Sequence, residues 1–154
     1  MRFYKETITI KPTTLRSLEG ISERLSARSI MKLASGVDIL EIERFAGTIE
    51  RHGERFKQRY FTPREIEQAA DNIASLAVRF AAKEAVSKAL GTGIGKVRPI
   101  DMEVVRDQNR APHLHLHGEA RRLADSLGLQ TWSISLSHSD HYAVAFVVAI
   151  GEED

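Results

Sequence analysis

Cysteine is absent from all 154 residues. That removes disulfides, thiolate metal sites and a thiol nucleophile together. Neither sign of charge dominates, since 22 Lys and Arg against 21 Asp and Glu leave a formal net charge of +1. A dedicated nucleic-acid binder carries a basic excess or stripe, so that class is set aside. Long apolar runs are also lacking. The longest, Tyr142 to Ile150, falls well short of the roughly 20 residues that span a bilayer. The first residues lack the apolar stretch of a secretory signal. These absences lead us to expect a soluble cytoplasmic protein that binds neither nucleic acid nor membrane. The length suits one domain with a substantial core.

Residues 1–32 read as an N-terminal extension, either an arm or the product of an upstream start assignment. Met1 to Lys11 alternates weakly, and Leu15 to Met31 has the apolar spacing of a polar amphipathic helix interrupted by Gly20. The domain proper spans residues 33–154. Lys32 to Leu40 reads as a strand and Glu41 to Arg55 as a helix carrying Ile42, Phe45 and Ile49. Thr62-Pro63-Arg64-Glu65 has the chemistry of a capping box with proline at the first helical position. Ile73 to Leu90 reads as a helix ended by Gly91, and Gly118 to Leu127 as one ended by Gly128. Ile100 to Arg106 and His113 to His117 read as strands joined by a turn at residues 107–110. Thr131 to Ser137 and Tyr142 to Ile150 form a hairpin, whose second strand is apolar on both faces and so belongs in the centre of a sheet. Helices and strands mix without a βαβ rhythm. The fold class expected is α+β, a compact domain of mixed helices on a mainly antiparallel sheet.

The chemistry concentrates in Arg79 to Gly93. Glu84 and Lys88 are four apart on one helix side, with the carboxylate nearer the N-terminus; alone, that spacing describes a surface ion pair worth a few tenths of a kcal/mol. Asp38 changes the reading, because strand interiors disfavour aspartate. Two isolated carboxylates with lysines, arginines and a Gly-Thr-Gly turn suit a Mg²⁺-bound diphosphate, since Mg²⁺ takes one or two protein carboxylates and completes its shell with phosphate oxygens and water. Arg79 borders an apolar surface, where an arginine ordinarily snorkels; a phosphate would be its natural ligand otherwise. His113, His115 and His117 share one strand face and invite a metal reading, which an exposed sheet face does not require. His138 ends its strand at a turn.

With these motifs in place, residues 33–150 resemble the holo-acyl-carrier-protein synthases, the short 4′-phosphopantetheinyl transferase family. The resemblance rests on Gly36-Val37-Asp38-Ile39 with Glu41 and Arg44, on Arg79-Phe80-Ala81-Ala82-Lys83-Glu84-Ala85 through Lys88 and Gly91-Thr92-Gly93, and on Ser135-Leu136-Ser137-His138 followed by Tyr142-Ala143. It implies transfer of phosphopantetheine from coenzyme A to a serine of apo-acyl carrier protein, with release of adenosine 3′,5′-bisphosphate, in fatty-acid biosynthesis. It also implies a homotrimer with active sites between subunits. By position, Asp38 and Glu84 are the implied Mg²⁺ ligands, and Glu84 also orients the water that takes the serine proton. Lys88 lies by the diphosphate, Arg79 and His138 contact nucleotide phosphates, Gly91, Thr92 and Gly93 shape the coenzyme pocket, and Arg44 meets the carrier protein. A strand bearing Asp38 and a helix bearing Glu84 need not meet within one subunit. Arg110 stands where the family often has glycine, and residues 1–32 have no family counterpart. The rival readings are a Mg²⁺-dependent nucleotide phosphohydrolase and a non-catalytic binding module of the same fold.

Overall fold

The structure, a computed structural model, describes residues 30–93 and 95–153. Its elements are β1 (Ile30–Glu41), α1 (Ile42–Tyr60), α2 (Pro63–Ala69), α3 (Ile73–Ala89), a 3₁₀ turn (Pro99–Asp101), β2 (Met102–Arg106), β3 (Pro112–Leu116), α4 (Gly118–Ser126), β4 (Thr131–His138) and β5 (Tyr142–Glu153). Strands β1, β5 and β4 form one antiparallel sheet with β5 in the middle, and β2 pairs with β3 as an antiparallel ribbon. The α+β expectation holds, and so does the central place of the doubly apolar last strand. The extension lies outside the described residues except for its end. Ile30 and Met31, expected to finish a helix, instead begin β1, paired with Glu153 and Glu152.

Small side chains decide where the core sits. Ala145, Val147 and Ala149 of β5 pack with Ala81, Ala82, Ala85 and Val86 of α3, and Ala143 packs with Leu76, Ala77 and Val78, all buried. Alanine on both surfaces lets helix and sheet approach closely, so α3 runs through the middle of the domain. The helix is buried almost all round, from Leu76 to Arg79, from Ala81 to Lys83 and again from Ala85 to Ser87. A second core joins α1 to α3 through Phe45, Phe56, Tyr60 and Phe80, whose rings lie 4.4–6.1 Å apart.

Two helix starts follow their local chemistry. Thr62 and Glu65 form the capping box reciprocally, and Asn72 caps α3 by accepting from Ser75 N at 2.8 Å. Helix α1 extends past Arg55 to Tyr60, with a break at Gly53 (φ 54°, ψ −141°). Gly91 takes φ 73° immediately after α3, the left-handed conformation that a side chain would resist.

Candidate active site

The site is made by one close approach. A Cβ added to Gly36 of β1 would stand 1.9 Å from Ala85 O of α3, so only glycine lets the strand lie this near the helix backbone. Asp38 follows two residues later, hence on the same face of the pleat, and comes over the last turns of α3. Lys88 Nζ lies 2.9 Å from Asp38 Oδ1 and donates to Val37 O at 2.8 Å. Glu84, one turn earlier, is half-buried; desolvation first, and then the Asp38 charge, push its carboxyl above its ordinary range, while Lys88 pulls it back. Asp38, Glu84 and Lys88 therefore form one cluster within a single protomer. Asp38 and Glu84, which need not meet within one subunit, do so here because Gly36 brings their elements into contact. Lys88 spends its ammonium on Asp38 rather than resting as half of a surface pair with Glu84.

The remaining candidates fall at different distances from this cluster. Gly91, Thr92 and Gly93 continue directly from α3, and Thr92 N and Gly93 N donate to Ser87 O at 3.1 and 3.4 Å. His138 ends β4 opposite Ala143 of β5, which in turn pairs with Leu40 of β1. It shares the inward parity of Leu136 and Trp132 but is exposed and lies two strands from β1, so the fold does not bring it to Asp38 within the protomer. Arg44 is exposed on the first turn of α1.

Arg79 does not snorkel. It is buried, with Nε donating to Val104 O at 3.1 Å, Nη1 to Ser75 O at 3.0 Å and to Ser75 Oγ, and Nη2 to Gln68 Oε1 at 3.2 Å. It faces α2 and β2, away from the Asp38 cluster. Lys83 faces the same way, in a fully buried pair with Glu65 at 2.8 Å. Sequence reasoning missed this network, although a signal was present. Arg79, Lys83 and Ser87 recur every four residues on a helix otherwise full of alanine, which marks a buried polar stripe beside the apolar one. The three strand histidines do not gather a metal. His113 pairs with Asp107 at 3.0 Å and His117 with Glu103 at 3.3 Å, and no group of three or more His, Cys, Asp or Glu suited to a metal ion occurs among the described residues.

Comparison with known proteins agrees with the geometry. Residues 34–147 match the profile of the 4′-phosphopantetheinyl transferase superfamily. The holo-[acyl-carrier-protein] synthase of Herpetosiphon aurantiacus is 44% identical over 126 residues, covering 77% of this chain and 99% of that protein. That of Ruminiclostridium cellulolyticum is 44% identical over 128 residues, covering 79% and 96%. Among solved structures, the Helicobacter pylori holo-[acyl-carrier-protein] synthase in complex with coenzyme A aligns with a TM-score of 0.69 at 35% identity, over 75% of this chain and 98% of that one. The Bacillus anthracis synthase, in complex with coenzyme A (3′,5′-ADP), aligns with a TM-score of 0.65 at 35% identity, over 81% and 100%. Since the match covers most of this chain and nearly the whole of each relative, the chain belongs to the 4′-phosphopantetheinyl transferase superfamily, as an enzyme of the holo-[acyl-carrier-protein] synthase group.

Proposed function

We propose that this protein transfers the 4′-phosphopantetheine of coenzyme A to a serine of an acyl carrier protein through Asp38, Glu84 and Lys88. The observation that carries the reading is the cluster itself: two carboxylates and an ammonium, drawn together by a glycine contact and set beside a glycine turn. The serine Oγ attacks the phosphorus that bears the pantetheine arm and forms a new P–O bond. The bond from that phosphorus to the bridging oxygen breaks, and adenosine 3′,5′-bisphosphate leaves with the electron pair. Glu84, whose basicity is raised by burial and by Asp38, takes the serine proton through a water, as suits a base tuned toward working pH. Lys88 faces the negative charge of the diphosphate. Phosphoryl-type transfer asks for positioning and charge neutralisation rather than a covalent nucleophile, which suits a chain without cysteine.

Asp38 and Glu84 also fit Mg²⁺. Burial and mutual repulsion raise the Glu84 carboxyl, a cost that a cation relieves, and two carboxylates are the usual protein share of a Mg²⁺ shell. When bound there, Mg²⁺ supplies further neutralisation of the diphosphate. In this reading Gly91, Thr92 and Gly93 shape the coenzyme pocket, and His138 contacts a nucleotide phosphate. Arg79 reaches one only by giving up one of its present partners.

The assembly we propose is a homotrimer. Leu33, Val37 and Ile39 of β1 lie opposite Ile150, Phe146 and Val144 of β5 on the sheet face away from α3. Ile39 is 64% exposed and Phe146 47%. A contiguous apolar face of this kind marks an interaction surface. In this assembly the active sites lie between subunits, and His138 of one protomer serves the Asp38 cluster of another. The domain at residues 33–154 carries the reaction, in the cytoplasm, on an acyl carrier protein of fatty-acid or polyketide synthesis.

The test is incubation of the protein with coenzyme A, Mg²⁺ and an apo-carrier, followed by mass spectrometry of the carrier. Gain of one phosphopantetheine on serine is expected. Hydrolysis of coenzyme A with an unmodified carrier would instead favour the phosphohydrolase reading.

A further inference from the structure

The Glu65–Lys83 pair has no part in the reaction described above, yet it is a fully buried and densely hydrogen-bonded ion pair. Both side chains are 0% exposed. Lys83 Nζ donates to Glu65 Oε2 at 2.8 Å, Pro99 O at 2.9 Å and Met102 O at 2.7 Å, which uses all three ammonium protons. Glu65 in turn accepts from Thr62 N at 2.8 Å and Val104 N at 2.9 Å. One ammonium thus ties α3 to α2, to the 3₁₀ turn and to the start of β2.

The position of Pro99 gives this tie its consequence. The segment after α3 leaves the helix at Gly91 and returns to the domain at Val97–Pro99. Its outgoing end is held by Ser87 O, which accepts from Thr92 N, Gly93 N and Thr92 Oγ1. Its returning end is held by Lys83 Nζ on Pro99 O. Ser87 and Lys83 are successive turns of one helix, linked by Ser87 Oγ donating to Lys83 O at 2.9 Å. Gly91, Gly93 and Gly95 of this segment are all at positive φ, which glycine adopts without the cost a side chain would bring. The returning end also walls a cleft of about 320 Å³ facing Gln58, Arg59 and Tyr60. Lys88, on another face of the same helix, takes its geometry from β1, and Glu84 feels the charge of Asp38 there.

We propose that Lys83, held by Glu65, is a positioning residue that fixes the returning end of the 91–98 loop and thereby sets the affinity for coenzyme A. This rests on the reading above, in which that loop shapes the coenzyme pocket. Holding a binding segment in place before its ligand arrives lowers the ordering cost of association. The effect belongs to coenzyme binding and not to the chemical step.

The informative variant is Glu65→Gln/Lys83→Met. It removes both charges together and keeps an oxygen for Val104 N, which avoids leaving a buried charge unpaired. Titration calorimetry with coenzyme A and steady-state kinetics on the folded double variant should show Kd and KM for coenzyme A raised about tenfold. The kcat at saturating coenzyme A and the KM for the carrier should stay within about threefold. A general loss of packing would depress kcat and raise both KM values alike, and that outcome overturns the proposal. So does a folded double variant that binds coenzyme A as tightly as the parent protein. Should the double variant fail to fold, Glu65→Gln/Lys83→Gln, which also removes both charges and retains an amide donor, is measured the same way, and an unchanged Kd for coenzyme A again overturns it. A parent protein that neither binds coenzyme A nor modifies the carrier would overturn the underlying reading first, and this one with it.

Discussion

Lys88 of α3 and Asp38 of β1 stand 50 positions apart in the chain, yet their side chains meet at 2.9 Å. Neither element places the other. The contact exists because Gly36 carries no Cβ where Ala85 O would strike it at 1.9 Å, and because alanines face each other across α3 and β5. In the family's chemistry this makes Gly36 a residue of the site, although it bears no functional group.

Gly36→Ala should show this directly. The new methyl meets helix backbone, which cannot swing aside, so overpacking should cost about 1–3 kcal/mol or more. Urea unfolding would register the loss as a lower midpoint, with transfer activity falling further than stability as Asp38 moves off Lys88. An unchanged midpoint with full activity would show that strand and helix separate freely.

Glu84→Gln should reduce transfer by about a hundredfold or more, the scale of a lost general base, and leave the fold intact. Its effect on stability runs in the opposite direction. An acid whose folded pKa lies above its unfolded value binds protons more readily when folded, so its ionised form opposes folding above that range. Burial and Asp38 raise Glu84 in this way from 4.5. The variant should therefore melt higher than the parent near neutral pH, and the two curves should converge as the pH falls below 4.5. Thermal melts across pH 4 to 8 would check this, and a variant less stable at pH 8 would contradict it.

Phe146→Asp places a charge in the middle of the exposed apolar sheet face. It should turn a sedimenting trimer into monomers and abolish transfer. Mixing experiments extend the same idea. Asp38→Ala with Glu84→Ala should restore no activity on subunit exchange, since the two residues belong to one protomer's cluster. His138→Ala with Glu84→Ala should restore part of it if His138 serves a neighbour's site. A fully active monomer would dispose of the trimer and of His138 serving a neighbour, and restored activity in the Asp38→Ala with Glu84→Ala mixture would dispose of the single-protomer cluster.

Arg44→Glu should weaken association with an acidic carrier and leave coenzyme A binding as it was. The effect should shrink as salt rises, because exposed charges are screened beyond roughly 8–10 Å at physiological ionic strength. Stopped-flow association at two salt concentrations would measure it. If the rate at low salt does not change, the docking surface lies elsewhere on α1, for example at Arg51 or Arg55.

Much of the domain could be read from the chain because the relevant forces are local. Thr62 and Glu65 announce their capping box within four residues, Gly91 ends α3 by its own conformational freedom, and the doubly apolar 142–150 segment declares a central strand. Asp38 stood out for the same reason, as a side chain that suits its strand poorly, and it drew attention to the otherwise ordinary Glu84 and Lys88 pair. Tertiary structure decided what those side chains touch. Arg79 and Lys83 carry the residue types of phosphate ligands but turn toward α2 and β2, where carbonyls and Glu65 absorb their donors. Lys88, on the same helix, turns the other way to Asp38. The helical period assigns each side chain a direction, but what lies in that direction depends on strands 50 residues before and 15 to 25 residues after. Burial makes that difference decisive, since a buried cation must find its acceptors within the fold while an exposed one is left to water and ligand.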